Sequence, residues 1–115
     1  MRKLLAVFVL SLLSLPAFSA TADSLLARSR LAQSHGQDDT AIRLAQSAIV
    51  ADPARPASYV ALADLYARKG ESDFAAYYYG EALTIDPLQP DAQKGLAMAD
   101  RAAQQAAAAR SLDKQ

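Results

Sequence analysis

The chain has no cysteine and no tryptophan, and it has a single histidine among 115 residues. The lack of cysteine excludes disulfide scaffolds, thiol catalysis and the usual structural zinc sites. Basic and acidic residues balance at 12 each, so no strong electrostatic field favours nucleic acid or an anionic membrane. We therefore expect one small domain that is held by its core alone, with no metal, no cofactor and no nucleic-acid partner.

The N-terminus has the pattern of a cleavable signal peptide, predicted to span residues 1–22. Arg2 and Lys3 form a short positive region, and residues 4–15 are apolar except for two serines. This stretch of twelve residues is shorter than the run of about 20 that a membrane-spanning helix needs. The alternative of an uncleaved anchor is therefore disfavoured, and we expect export to the periplasm without stable membrane insertion after cleavage.

Two cleavage sites fit the preference of export peptidases for small residues. Residues 20–22, Ala-Thr-Ala, predict a cut that leaves Asp23 as the first mature residue. A cut after Ser19, with Ala17 as the other small residue, is the alternative. No cysteine follows either site, which excludes a lipid-anchored lipoprotein.

The sequence repeats itself at an offset of about 34 residues, a period typical of helical-repeat proteins. We call this offset one repeat. The residues that coincide across it are glycines, prolines, aspartates and small or apolar residues. Such residues mark turns and close contacts. The matching pairs are Ala27 with Ala61, Leu31 with Leu65, Gly36 with Gly70, Asp39 with Asp73, Ala41 with Ala75, Ala48 with Ala82, Asp52 with Asp86, Pro53 with Pro87 and Pro56 with Pro90.

Residues 56–89 have the pattern of two antiparallel helices. Pro56 suits the first turn of a helix, and Gly70 is expected to end that helix in a left-handed conformation. Asp73 is expected to cap the second helix, which residues 86–87, Asp-Pro, should end. The apolar positions recur at spacings of three and four: Tyr59, Leu62, Ala63 and Tyr66, then Phe74, Ala75, Tyr78, Tyr79, Ala82 and Leu83.

Small residues are expected where helices approach closely. Ala63 and Ala75 should lie at the crossing of the two helices in residues 56–89, where Leu would overpack. Gly80 and Gly95 fall inside predicted helices, where each costs on the order of 1 kcal/mol against Ala, so we expect both to contact a neighbouring helix.

At these residues the chain resembles the tetratricopeptide repeat family. The family pattern begins Trp-x2-Leu-Gly-x2-Tyr and continues with Ala, an aromatic residue, Ala and Pro. In the central unit its positions are filled by Tyr59, Leu62, Ala63, Tyr66, Ala75, Tyr79, Ala82 and Pro87. The preceding copy departs from the pattern at Arg28, Ser29 and Ala32, so its first helix is expected to be short or poorly packed.

The resemblance implies an all-α, right-handed solenoid of antiparallel helix pairs. Its parts are a degenerate repeat at residues 23–55, a repeat at residues 56–89, and a partial third repeat at residues 90–115 that forms a C-terminal solvating helix. Ala-rich sequence from Ala102 to Ala109 suits such a capping helix because alanine has a high helix propensity and adds little apolar bulk.

No catalytic residues are predicted. His35 lies in a predicted turn with no nucleophile elbow or metal-ligand spacing around it. Tyr77, Tyr78 and Tyr79 point in different directions on a helix, so they form no common platform; Tyr78 and Tyr79 are expected in the core and Tyr77 on the surface. The chain is therefore expected not to be an enzyme.

The resemblance implies that a peptide or partner helix binds in a groove lined by the first helix of each pair. We place nine residues on that surface: Leu26, Arg30, Gln33, Val60, Asp64, Arg68, Lys94, Met98 and Arg101. The implied function is a periplasmic protein–protein interaction module, an adaptor, scaffold or assembly factor of an envelope complex. The alternative is a structural envelope protein that self-associates and has no peptide ligand.

Overall fold

The chain is all-helical throughout the part that the computed structural model describes, namely the backbone of residues 16–114 and the side chains of residues 20–114. Five helices follow one another there with no strand between them: α1 Pro16–Ser34, α2 Asp38–Ala51, α3 Pro56–Arg68, α4 Ser72–Ile85 and α5 Pro90–Asp113. The predicted all-α class is confirmed. Most of the predicted signal peptide, residues 1–15, lies outside the described residues. None of the helices described combines the length and hydrophobicity needed to cross a bilayer.

The turns inside the two hairpins, α1–α2 and α3–α4, have the same geometry. Gly36 has φ 72° and Gly70 has φ 77°, the left-handed region that side chains with a Cβ rarely adopt. After Gly70, the Glu71 N–H donates to the Tyr66 carbonyl at 3.0 Å, and after Gly36 the Gln37 N–H donates to the Ala32 carbonyl at 2.9 Å. The expected left-handed end at Gly70 is confirmed, and the first hairpin has its equivalent.

Most of the predicted helix boundaries in the central hairpin are confirmed. Pro56 occupies the first turn of α3, and α4 ends at Ile85 with Asp86 as its C-terminal cap. The prediction that Asp73 caps α4 is wrong, because the helix begins earlier, at Ser72, after Glu71. Asp73 instead lies within the first turn, where its charge favours the positive end of the helix dipole.

Neighbouring helices pack consecutively along the chain. Helices α1 and α2 form one hairpin, α3 and α4 form the second, and α5 packs against α4, while α2 joins the hairpins through α3. Smaller contacts link α1 to α3 and α3 to α5, which brings the first helix of each unit to one side of the molecule. Ala63 and Ala75 are fully buried in one cluster with Tyr79 and Ala82, as expected for residues where α3 and α4 approach closely.

The first helix is better formed than the sequence predicted. Helix α1 continues to Ser34 and packs along α2, so the expectation of a short or poorly packed helix is wrong. Ser29 is buried, and its hydroxyl donates to the Ala41 carbonyl at 2.8 Å. A polar side chain thus joins the two helices at the position where α3 has Ala63, because its hydroxyl finds a backbone acceptor.

The two helical glycines differ in their surroundings. A Cβ at Gly95 of α5 would overlap the ring of Tyr79 from α4, so the glycine is required for this close approach. The space around Gly80 is open, since a Cβ at that position would meet no heavy atom of a neighbour within 4 Å. The expected close contact is therefore confirmed for Gly95 and wrong for Gly80.

Candidate functional site

A polar groove forms where α1, α3 and the start of α5 come together. Because the first helices of the units lie side by side, short stretches of each contribute to a single depression. Its lining residues, which we call the groove, are Arg30 and Gln33 of α1, Ala57, Val60, Ala61 and Asp64 of α3, and Gln89 and Asp91 at the start of α5.

Four of the nine residues predicted from the sequence line the groove: Arg30, Gln33, Val60 and Asp64. Arg30 and Asp64 are exposed and Gln33 is half-buried, whereas Val60 is mostly covered. These four therefore offer a ligand one cation, one carboxylate, one amide and a small apolar floor.

The other five predicted residues lie elsewhere. Leu26 is buried in the core at 3% exposure. Arg68 points toward the first hairpin, where its Nη2 lies 3.7 Å from Asp38 Oδ1 at the start of α2. Lys94 and Arg101 are exposed on α5 outside the groove lining, and Met98 borders a separate cleft beside Tyr79 and Gly95.

Gln89 and Asp91 were not predicted from the sequence, because they precede or begin the third predicted unit. The expected contribution of α5 was placed further along that helix, whereas the groove is lined by its first turn and by the residue before it. Gln89 is also structural, since its Oε1 accepts from the Ala92 N–H at 2.8 Å and caps α5. The capping pattern of a polar residue directly before Pro90 was the signal that could have located this turn.

Asp64 is held from behind by a buried tyrosine. The hydroxyl of Tyr79, a residue only 5% exposed, donates to Asp64 Oδ1. Burial raises the pKa of Tyr79 far above its ordinary value, and the bond to Asp64 raises it further. The pKa of Asp64 is also raised, first by desolvation of its carboxyl group and then by Asp91, against the lowering effect of the Tyr79 bond. The carboxylate is therefore fixed in place.

The charges of the groove are not neutralised by other residues in the part of the chain that the structure describes. The ion pairs found there join Arg55 to Asp23, Arg68 to Asp38, and Lys69 to Asp39 and Glu71. Arg30, Asp64 and Asp91 take part in none of them. Asp64 and Asp91 therefore lie in one groove, repel each other, and form no ion pair with a cation of the described residues. Arg30 lies in the same groove and forms no ion pair with a described carboxylate.

A second surface feature lies on the outer face of α4, away from the groove. Tyr66 stacks on Phe74 and on Tyr78, with ring centroids 5.2 and 5.6 Å apart, and Tyr77 meets Tyr78 edge-on at 5.0 Å. Phe74 and Tyr77 are more than half exposed. Tyr77 is thus on the surface and Tyr79 in the core, as predicted, while Tyr78 is half-buried between the two.

His35 lies exposed in the turn between α1 and α2. Among residues 20–114, no three histidine, aspartate or glutamate side chains gather as a metal site would require.

No model of a known protein family matches the chain, and no curated protein matches it. The resemblance to tetratricopeptide repeats therefore rests on the chain's own residues and on the spacing at which they recur.

Proposed function

We propose that this chain is an exported protein–protein interaction module of the tetratricopeptide type, which binds a peptide segment of a partner in the groove. The observation that carries the proposal is that α1, α3 and α5 jointly line a polar groove whose charges are unpaired among the described residues. Arg30, Asp64 and Asp91 are exposed to solvent, so each can form a charge-assisted hydrogen bond to a ligand without first breaking an ion pair among the described residues.

The charges of the groove indicate the chemistry of the partner. A lysine or arginine side chain would satisfy both Asp64 and Asp91, and the pKa of Asp64 is raised, with no cation among the groups that shift it. Arg30, on the α1 side of the groove, favours an acidic or carbonyl-rich portion of the same segment. The proposed ligand is thus an extended segment with a basic side chain that lies near α3 and α5.

Charge reversal at Arg30 tests this proposal directly. The tagged mature protein would be used to capture partners from periplasmic extract as wild type, Arg30→Glu and Arg28→Glu. Both arginines are exposed on α1, but only Arg30 lines the groove, so Arg28→Glu is a control with the same change of charge. We expect a protein that wild type and Arg28→Glu retain and that Arg30→Glu loses.

Capture of the same protein by all three forms would place the interaction outside the groove. Arg30 is a better probe than Arg68, because reversal at Arg68 also breaks its ion pair with Asp38. Circular dichroism of each variant verifies that helicity is unchanged, so that a loss of binding reports on the groove alone.

Self-association is the second candidate function, and the outer face of α4 favours it. Phe74 and Tyr77 are exposed there, and Leu88 is exposed in the turn that follows α4, whereas the equivalent positions one repeat earlier hold Thr40, Arg43 and Ala54. The helix pair itself does not need apolar side chains at these positions, and exposed apolar groups often mark an interface. Light scattering after size exclusion separates the alternatives: a dimer that Tyr77→Arg dissociates would favour self-association, and a monomer would exclude it.

A further inference from the structure

Tertiary packing of the chain begins before Asp23. Ala22 has no exposed surface, although it lies near the start of the residues whose side chains are described. The Asp23 carboxylate pairs with the guanidinium of Arg55, the residue directly before α3. The Asp23–Arg55 pair therefore joins the start of the first hairpin to the start of the second.

The repeat register relates α1 to α3. Ala22 is the residue one repeat before Pro56, the first residue of α3, so α1 from Ala22 onward is the equivalent of α3. Helix α1 itself extends further back, to Pro16, so Thr21 lies within α1 and the helix has no boundary at Ala22.

A cut after Ala22 would shorten α1 at a packed position. It would remove the buried Ala22, and it would place a positive α-amino group on Asp23, beside the Arg55 guanidinium that pairs with the Asp23 carboxylate. The two positive charges would repel each other. A cut after Ser19 retains Thr21 and Ala22 and moves the new charge away from Asp23.

We infer that the export signal is removed by hydrolysis of the Ser19–Ala20 bond, so that the mature chain begins at Ala20. Water adds its hydroxyl to the carbonyl carbon of Ser19 and a proton to the nitrogen of Ala20. Ala17 and Ser19 supply the small residues that an export peptidase requires. The inference rests on the export that the proposed function includes. Since the bond lies within α1, the cut precedes folding of that helix.

Two substitutions distinguish the cleavage sites in the full-length chain, expressed in a bacterium and recovered from the periplasm. Ala17→Leu removes a small residue that only the cut after Ser19 requires. Ala20→Leu removes one that only the cut after Ala22 requires. N-terminal sequencing and intact mass then identify the first residue of each product.

We expect wild type to begin at position 20, Ala20→Leu to be processed at the same bond, and Ala17→Leu to lose that product. A wild-type chain that begins at Asp23, or an Ala20→Leu chain that stays uncut, would overturn the inference and leave export intact. A wild-type chain that retains Met1 and stays in the cell would overturn the export proposal as well.

Discussion

The two hairpins have the same backbone geometry but differ in the side chains that pack within them. Both turn at a glycine with φ between 72° and 77°, and both bring small residues together: Ser29 and Ala41 in the first hairpin, Ala63 and Ala75 in the second. The surrounding positions differ. Where the second hairpin has Tyr59, Tyr66, Tyr78 and Tyr79, the first has Leu25, Ala32, Leu44 and Ala45.

The difference follows from what each hairpin must contact. The second hairpin packs against α2 on one side and α5 on the other, and its tyrosines reach both neighbours. Tyr66 and Tyr78 pack against both core clusters, and Tyr79 extends to Gly95 of α5. The first hairpin has a described neighbour on one side only, so small side chains suffice. We therefore expect the free energy of unfolding to depend most on the second hairpin.

The largest effect is expected at the crossing of α3 and α4. Ala63→Leu enlarges a side chain at a position with no exposed surface, which should cost about 1–3 kcal/mol by overpacking. Ala97→Leu is the matched control, since Ala97 is the equivalent position one repeat later and is exposed on α5. Thermal melts of both variants measure the effect; equal melting temperatures would mean that α3 and α4 are paired differently.

The fold was more predictable from sequence than the groove. Glycines, prolines and the repeat period locate the turns because they act through local backbone geometry, which one sequence contains. The hydrogen bond of Ser29 to the Ala41 carbonyl depends on how two helices meet, which periodicity does not specify. For the same reason Arg68 was assigned to the groove, although its helix rotation directs it toward Asp38.

Gly95→Ala should have the next largest effect, about 1–3 kcal/mol of lost stability. The added methyl group would overlap the Tyr79 ring, and that ring is buried and held by Asp64. Gly80→Ala should instead stabilise the protein by up to about 1 kcal/mol, because a helical glycine in open space gains helix propensity. Chemical unfolding of the two variants gives opposite signs if α4 and α5 pack as described; two changes of the same sign would contradict that packing.

The pH dependence of stability should depend on Tyr79. Its pKa is raised above the ordinary 10.0, so above that pH the unfolded chain loses a phenol proton that the folded chain retains. The contribution of Tyr79 to stability is therefore complete below pH 10 and declines as pH rises, by at most about 1.4 kcal/mol per pH unit. Unfolding measured from pH 9 to 11 should decline less steeply for Tyr79→Phe than for wild type; parallel curves would show that Tyr79 is not shielded.

The smallest effect is expected in the first hairpin. Ser29→Ala gives it the residue found at the equivalent position 63 and removes the 2.8 Å hydrogen bond to the Ala41 carbonyl, which should cost about 1 kcal/mol. Ser47→Ala, which removes a hydrogen bond on the exposed face of α2, should have less effect. A Ser29→Ala protein as stable as wild type would show that α1 and α2 pack as α3 and α4 do without the hydrogen bond of Ser29.

The most direct test of the groove as the binding surface is site-specific photo-cross-linking in cells that express the full-length chain. A photoreactive amino acid would replace Gln33 in the groove or, in a parallel strain, Tyr77 on the outer face of α4. We predict a discrete cross-linked partner from position 33 and none from position 77. A partner cross-linked from position 77 alone would contradict binding in the groove and would place the interaction on the exposed aromatic face.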